Sequence, residues 1–494
     1  MGIIQQQTIK STIYSYLGVA IAFITTSLIQ PHALSTEEVG LISILTTYSL
    51  LFAQFSILGF NGTARYFPYF RSEENKHHGY LFLACMVALA GVVLWVILAV
   101  IFKQELVSAG AEKSHLLEQY YWYFLPLTFF TLFFNVFDLY ARMLYNTTSG
   151  TIYREFTKRV LILVAVLLVL FNIISFYWFM IIWLAANILP TVLMLNVLIR
   201  NNQFHFKPDF KFLDKTLSIK LISICFFAIL TGSAPLIIQN LDTYFVHEKY
   251  GLSDTGIYNT AFLFASAIAL PARSLYGITF TVVSEAWKSG DLATIKDVYK
   301  KSCVNQLIAA LFLFIILWAN IDNIFKLLPA EYASGKYVVF FVSLGYVIDA
   351  STGVNGVVLA TSKYFKYDSI FNVMLIAVAV AGNIILIPYY GLTGAAIASA
   401  LTFLVFNLFR YVFILIAFKM QPFTVQCLLT VITGTVIYYL SLWALPVMSN
   451  FIADTIIRTA FITILFGITV YKLHLSPDIN ILVNKYMVKL KLKK

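Results

Sequence analysis

Fourteen apolar segments separated by short polar breaks run through nearly the whole chain, and they decide which solvent it folds in. A membrane-crossing helix needs roughly 20 mostly apolar residues to span a hydrocarbon core about 30 Å thick. The segments supply that length repeatedly, at 11–31, 39–61, 79–102, 120–142, 159–176, 178–199, 217–246, 255–284, 303–321, 337–360, 367–387, 391–418, 423–446 and 452–470. Hydrophobic residues make up 60% of the sequence and charged residues 12%, about half the charged share of an ordinary soluble domain. The expected fold is an all-α polytopic membrane protein with fourteen transmembrane helices. The two tightest connections fall at Asn172–Tyr177 and Pro388–Gly391.

The longest polar breaks, around 103–119, 200–216 and 284–302, are too short to bury a core of their own. The stretch at 11–31 lacks a basic leader and a small-residue cleavage site, and reads as a retained first span. Cys85, Cys225, Cys303 and Cys427 are widely spaced in sequence and read as small buried residues, neither disulfides nor metal ligands.

The net charge of +11 is distributed in alternate loops and the C-terminal tail. That placement fits lipid headgroups and the positive-inside bias, and argues against nucleic acid. One set of loops holds Arg71 and Lys76, Arg154 to Arg159, Lys207 to Lys220, Lys288 to Lys301, Lys363, Lys366 and Lys419. The opposite set holds only Lys103, Lys113, Lys249, Lys326 and Lys336. The rich side is expected to be cytoplasmic, with both termini there.

An internal repeat is suggested by LSTEEVGLISILTTYSLLFAQF from Leu34 and LSDTGIYNTAFLFASAIALPARS from Leu252. In each, a polar turn and a glycine, Gly40 or Gly256, precede a long span. This divides the chain into a six-helix lobe at 1–200, a linker at 201–216, a second six-helix lobe at 217–419, and two further helices with a basic tail at 420–494. Two bundles facing each other across a cavity would give alternating access by rocking.

With these motifs the sequence resembles the polysaccharide transporter family of the multidrug/oligosaccharidyl-lipid/polysaccharide exporter superfamily, the O-antigen and exopolysaccharide repeat-unit flippases. The matching stretches are LSTEEVGLISIL (34–45), GLSDTGIYNTAFLFA (251–265), LPAEYASG (328–335) and IPYYGLTGAAIASA (387–400). The resemblance covers about residues 10–470 and implies two pseudo-symmetric six-helix lobes in a V plus two C-terminal helices. It implies movement of an undecaprenyl-pyrophosphate-linked oligosaccharide from the cytoplasmic to the outer leaflet of a bacterial inner membrane. Membrane lipids, glycosyltransferases and a polymerase are its expected partners, and a monomer its expected state.

No catalytic or nucleotide-binding motif stands out, so no enzymatic role, cofactor or metal is expected, and transport would draw on an ion gradient, membrane potential or substrate gradient. The seven histidines are mostly loop-placed and read as solvated. Charges inside spans carry the signal, because a charge in hydrocarbon must face a partner or a wet cavity. Arg273 in IALPARSLYG is the deepest, with Pro271 placed to kink its helix. Arginine suits a diphosphate through its several fixed donors. Asp349, with Asn355 six residues on and Gly353 and Gly356 beside it, is a candidate to pair with Arg273 or to carry a coupling proton or sodium ion. Asp242, beside Asn240, reads equally as a lobe contact, a helix-end residue or a cation ligand.

Arg65, Arg142 and Arg410 stand at the expected cytoplasmic mouth, as membrane-edge anchors or as first contacts for diphosphate. Asp138 lies four residues before Arg142 and is spaced to pair with it. Arg458 reads as a contact to lipid headgroups near the end of the last span. Two rivals share the superfamily. A cation-coupled multidrug antiporter would use Asp242 and Asp349, and a lipid II flippase would follow the same diphosphate logic.

Overall fold

The computed structural model describes residues 3–104 and 115–489, and every regular element among them is helical. Eleven of the described helices are long and apolar enough to cross a membrane. The difference from fourteen has physical sources. Phe365–Phe418 turns back on itself at Gly391 (φ 59°, ψ −138°), so two apolar segments share one helical element with their arms side by side, Gly382 against Ala398. Lys215–Ser266 likewise passes a break at Gly251 (φ 83°, ψ −167°). The segment read as the fifth span, 159–176, lies on a helix of only 13 α-helical residues, Lys158–Leu170, preceded by a π-helical stretch, Ile152–Thr157. Both positive-φ breaks fall at glycine, which enters that region without a Cβ penalty.

The chain forms two compact units, Met1–Thr260 and Ala261–Lys494. In the first, Leu34 leaves the opening helical run with extended backbone, and Ser35 caps helix Thr36–Ser56. The Ser35 hydroxyl accepts from the Glu38 amide at 3.2 Å and the Glu38 carboxylate accepts from the Ser35 amide at 2.9 Å. The LSTEE motif is therefore a reciprocal cap, which satisfies two otherwise orphaned donors. Helices Tyr80–Ile101, Phe124–Met143 and Phe176–Arg200 complete a bundle whose core is aromatic: Tyr48, Tyr121, Phe124 and Phe179 in one cluster, Phe67, Phe70, Tyr80 and Tyr140 in another. The tight connection near Asn172 is real: Asn172 adopts φ 56° between Leu170 and Phe176.

At the start of the third span, Lys76, His77, His78 and Gly79 form a left-handed run. It presses against the linker after Arg200. His78 Nδ1 meets Asp209 Oδ2 at 2.9 Å and its ring stacks on Phe212 at 3.9 Å. That hydrogen bond holds the Asp209 carboxyl below the usual carboxylate range. His77 is buried and meets Gln203 at 3.0 Å. His247 is buried as well. These two histidines correct the expectation of solvated loop residues, because backbone folding draws their rings inward.

In the second unit, a 3-10 turn, Ala267–Ala269, precedes helix Leu270–Ser289. Pro271 sits in the first turn of that helix, where a missing N–H costs little. Helices Leu292–Ala319, Lys336–Ser351, Asn355–Ala360, Val425–Ala444 and Phe451–Lys472 follow, with Pro477–Lys489 beyond. One expectation is corrected here. Arg458 is not at a lipid surface: it is 3% exposed, pairs with Asp454 at 2.9 Å, and donates to the carbonyls of Ser441 and Leu445 at 3.1 and 3.3 Å. Cys303 and Cys427, 124 positions apart, bring their sulfurs to 3.5 Å, although both remain free thiols.

Candidate functional site

Each unit holds a polar cavity of its own. The one in the second unit, about 380 Å³, is lined by Arg273, Gln306, Asp349, Asn355 and Arg410, with Tyr276 at its edge. Helix Lys336–Ser351 ends just past Asp349, and the chain unwinds through Thr352, Gly353 and Val354 before restarting at Asn355. Gly353 makes this turn with φ 61°. A β-carbon there would stand 2.7 Å from the Cys303 amide nitrogen and the Ser302 hydroxyl. The Ser302 hydroxyl instead accepts from the Val354 amide at 3.2 Å, so the open turn keeps a partner.

Asn407 organises this turn. Its amide nitrogen donates to Asp349 Oδ1 at 2.9 Å. Its amide oxygen accepts from Thr352 Oγ1 at 2.8 Å and from Asn355 Nδ2 at 2.7 Å. Asp349 and Asn355, six residues apart in sequence, are thus joined through one side chain that the sequence analysis missed. The available signal was a lone asparagine in the apolar run FLVFNLF (403–409).

The two arginines differ. Arg410 is engaged: it pairs with Asp368 at 2.7 Å, lies over the Phe406 ring at 3.9 Å, and passes across Gly356, where a β-carbon would stand 2.7 Å from its guanidinium. Arg273 is exposed, and among the described residues it makes no hydrogen bond or ion pair. It shares the cavity with Asp349 without a direct pair. A fixed guanidinium and a free one around a polar hollow can hold an anion with several oxygens.

The first unit's cavity, about 470 Å³, is lined by Asn61, Asn135, Asp138, Arg142, Arg154, Lys158 and Asn187 among others. Arg142 donates through Nε to Asp138 Oδ2 at 3.0 Å. Arg154 and Lys158 were read only as loop charges, yet they line this hollow because the π-helical stretch continues their helix inward. Arg65 is the exposed side chain of an otherwise packed 3-10 turn, Phe60–Tyr66, and lines neither cavity. Asp242 also lies apart from them, buried, and accepts from the Tyr258 hydroxyl at 2.7 Å. A larger hollow in the second unit, about 660 Å³ and lined by Trp318, Tyr337, Phe340, Tyr390 and Tyr439, is mostly apolar and holds no cation among its lining residues.

A profile of polysaccharide biosynthesis proteins matches residues 6–275, more than half of the sequence. The chain belongs to that family. Several solved membrane transporters share its fold. A lipid II flippase, MurJ, in an inward closed conformation is 13% identical with a TM-score of 0.74, covering 94% of this chain and 99% of that one. An inward-facing multidrug resistance transporter of the MATE family is 14% identical with a TM-score of 0.58, covering 82% and 93%. A point mutant of the Vibrio cholerae MATE transporter VcmN is 10% identical with a TM-score of 0.54, covering 84% and 98%. At these identities the likeness concerns the fold. No curated protein sequence matches significantly.

Proposed function

We propose that this protein is a flippase that moves undecaprenyl-pyrophosphate-linked oligosaccharide repeat units from the cytoplasmic to the outer leaflet by alternating access. The observation that carries the reading is the exposed Arg273 guanidinium, in no direct ion pair among the described residues, lining one polar cavity with Arg410. An isolated ion in hydrocarbon costs tens of kcal/mol by simple solvation estimates. A cavity that offers fixed donors in place of water lowers that barrier for the diphosphate and breaks no bond. The family membership supports a role in polysaccharide assembly.

In this proposal the chain crosses a bacterial inner membrane fourteen times, with Gly251 and Gly391 as the tight reversals inside the two longest helices. Both termini are cytoplasmic, because the lysine-rich loops and tail lie on one side. The sequence lobes at 1–200 and 217–419, with the added helices at 420–494, work as a monomer. Asp349, held by Asn407, is the proposed ion-coupling group, and Asn355 a substrate contact. Arg65 and Arg142 supply further basic contacts.

Lipid II shares the diphosphate, so a lipid II flippase is the nearest alternative, favoured by the TM-score of 0.74 to MurJ. A multidrug antiporter fits less well. Organic cations need an available carboxylate, whereas Asp349 is bound by Asn407 and Arg273 stands free in the same cavity. Mass analysis of lipid-linked intermediates in cells lacking the protein separates these readings. Accumulated repeat-unit oligosaccharide supports the proposal, and accumulated lipid II would replace it.

A further inference from the structure

The Asp138–Arg142 pair in the first unit is built unlike a stabilising ion pair. The Asp138 side chain is 8% exposed, but only one of its oxygens is satisfied. Oδ2 accepts from Arg142, while Oδ1 is buried with no hydrogen-bond partner among the described residues. Gly150 packs directly on that second oxygen, and a β-carbon there would overlap it. The carboxylate is therefore fixed in place. Its partner is free to move: Arg142 is 43% exposed, and among the described residues only its Nε is engaged. A half-satisfied buried anion is costly, and an arrangement built for stability would complete its hydrogen bonds.

The surroundings explain the incompleteness. The pair faces a polar cavity of about 470 Å³ that Arg154 and Lys158 also line. Arg154 is held by Glu155 at 3.2 Å and lies against the Phe134 ring, so it stays in position as a second cation. An incoming anion meets one arginine whose terminal nitrogens are unengaged and whose present acceptor is a single carboxylate oxygen.

We propose that Asp138 is an internal surrogate for the substrate's phosphate, occupying Arg142 when the site is empty and yielding it when a diphosphate arrives. This rests on the diphosphate-flippase reading and adds to it a competing anion that no substrate contact requires. The exchange is one of ion pairs, with no covalent step: Arg142 leaves Asp138 Oδ2 for a phosphate oxygen, and re-pairs when the phosphate departs. The empty carrier thereby completes its return with Arg142 neutralised, and the loaded carrier travels with phosphate in the same role. Asp138 acts on transport through Arg142 and is a positioning residue.

The test uses purified full-length protein. Binding of geranyl diphosphate is measured by calorimetry, and net flipping and exchange of a fluorescent short-chain polyprenyl diphosphate are measured in proteoliposomes. Asp138→Asn removes the competing charge while keeping the shape that Gly150 packs against. It is expected to tighten geranyl diphosphate binding about tenfold, to slow net flipping several-fold, and to leave exchange intact, because only the empty return lacks its counter-charge. Gly150→Ala, which dislodges the carboxylate chemically unchanged, is expected to tighten binding in the same direction, and decides the matter if Asp138→Asn does not fold. Binding that is unchanged or weaker in the folded variants overturns the surrogate role and leaves the flippase reading standing. Absence of any geranyl diphosphate binding or exchange in the wild-type protein overturns that reading, and the surrogate role with it.

Discussion

Gly256 packs against Gly40 and Thr36, while Gly40 in turn packs against Leu252: a β-carbon at 256 would stand 2.9 Å from the Gly40 amide nitrogen. Thr36 and Ser253 close the same contact through their hydroxyls at 2.7 Å. The two stretches whose sequence likeness suggested a duplication thus lie side by side, each glycine facing the other stretch's opening turn. Reciprocal contact of this kind is the pattern of a local two-fold axis.

Replacing either glycine by alanine is expected to force the two helix starts apart, at about 1–3 kcal/mol. The two substitutions share one contact, so their effects should not add. Thermal unfolding in detergent of both single variants and the double variant checks this; simple additivity would mean the two sites are independent.

The pair that tethers the last hairpin should be the more costly to break. Asp454 and Arg458 are both almost wholly buried, and Asn323 also donates to Asp454. Asp454→Ala leaves a buried guanidinium without its counter-charge and is expected to cost about 3 kcal/mol or more. A melting temperature close to wild type would show that Arg458 finds water or lipid headgroups instead.

Asn407 holds the unwound turn by three side-chain hydrogen bonds. Asn407→Leu keeps volume but strips those bonds from Asp349, Thr352 and Asn355. Expected are a stability loss of about 1–3 kcal/mol and a larger proportional loss of flipping, measured in proteoliposomes against unfolding of the same preparation. Unaltered flipping would separate Asp349 from transport.

The linker responds to pH through Asp209. Its carboxyl is held below its ordinary range by His78, so the restraint is present above the unfolded carboxylate range and is lost as pH falls through the lower, folded value. Hydrogen exchange of the linker amides should quicken on acidification, and Asp209→Asn should remove that pH dependence. An acid response that survives in Asp209→Asn would assign it elsewhere.

The helical membrane architecture was legible because apolar length is a local property of the sequence. So was the cap at Ser35, which depends on residues three apart. What escaped depends on residues distant in the chain. Arg458 looked like a lipid-facing end charge until Asn323, Ser441 and Leu445 closed around it and its partner. The contact between Cys303 and Cys427 joins two different helices. Asn407 carries no formal charge, so a search for intramembrane charge passed over the side chain that joins Asp349 to Asn355. Arg273 and Asp349 were legible as sharing a site, and that they remain unpaired in it was not.

The most direct measurement is flipping of a fluorescent polyprenyl-diphosphate oligosaccharide in proteoliposomes by wild type, Arg273→Ala and Arg273→Lys, at matched insertion and melting temperature. The account predicts transport by the wild-type protein, loss of at least about tenfold in the alanine variant, as expected for removing a charge-assisted anion contact, and partial recovery with lysine. Wild-type rates in a correctly inserted Arg273→Ala protein would contradict it.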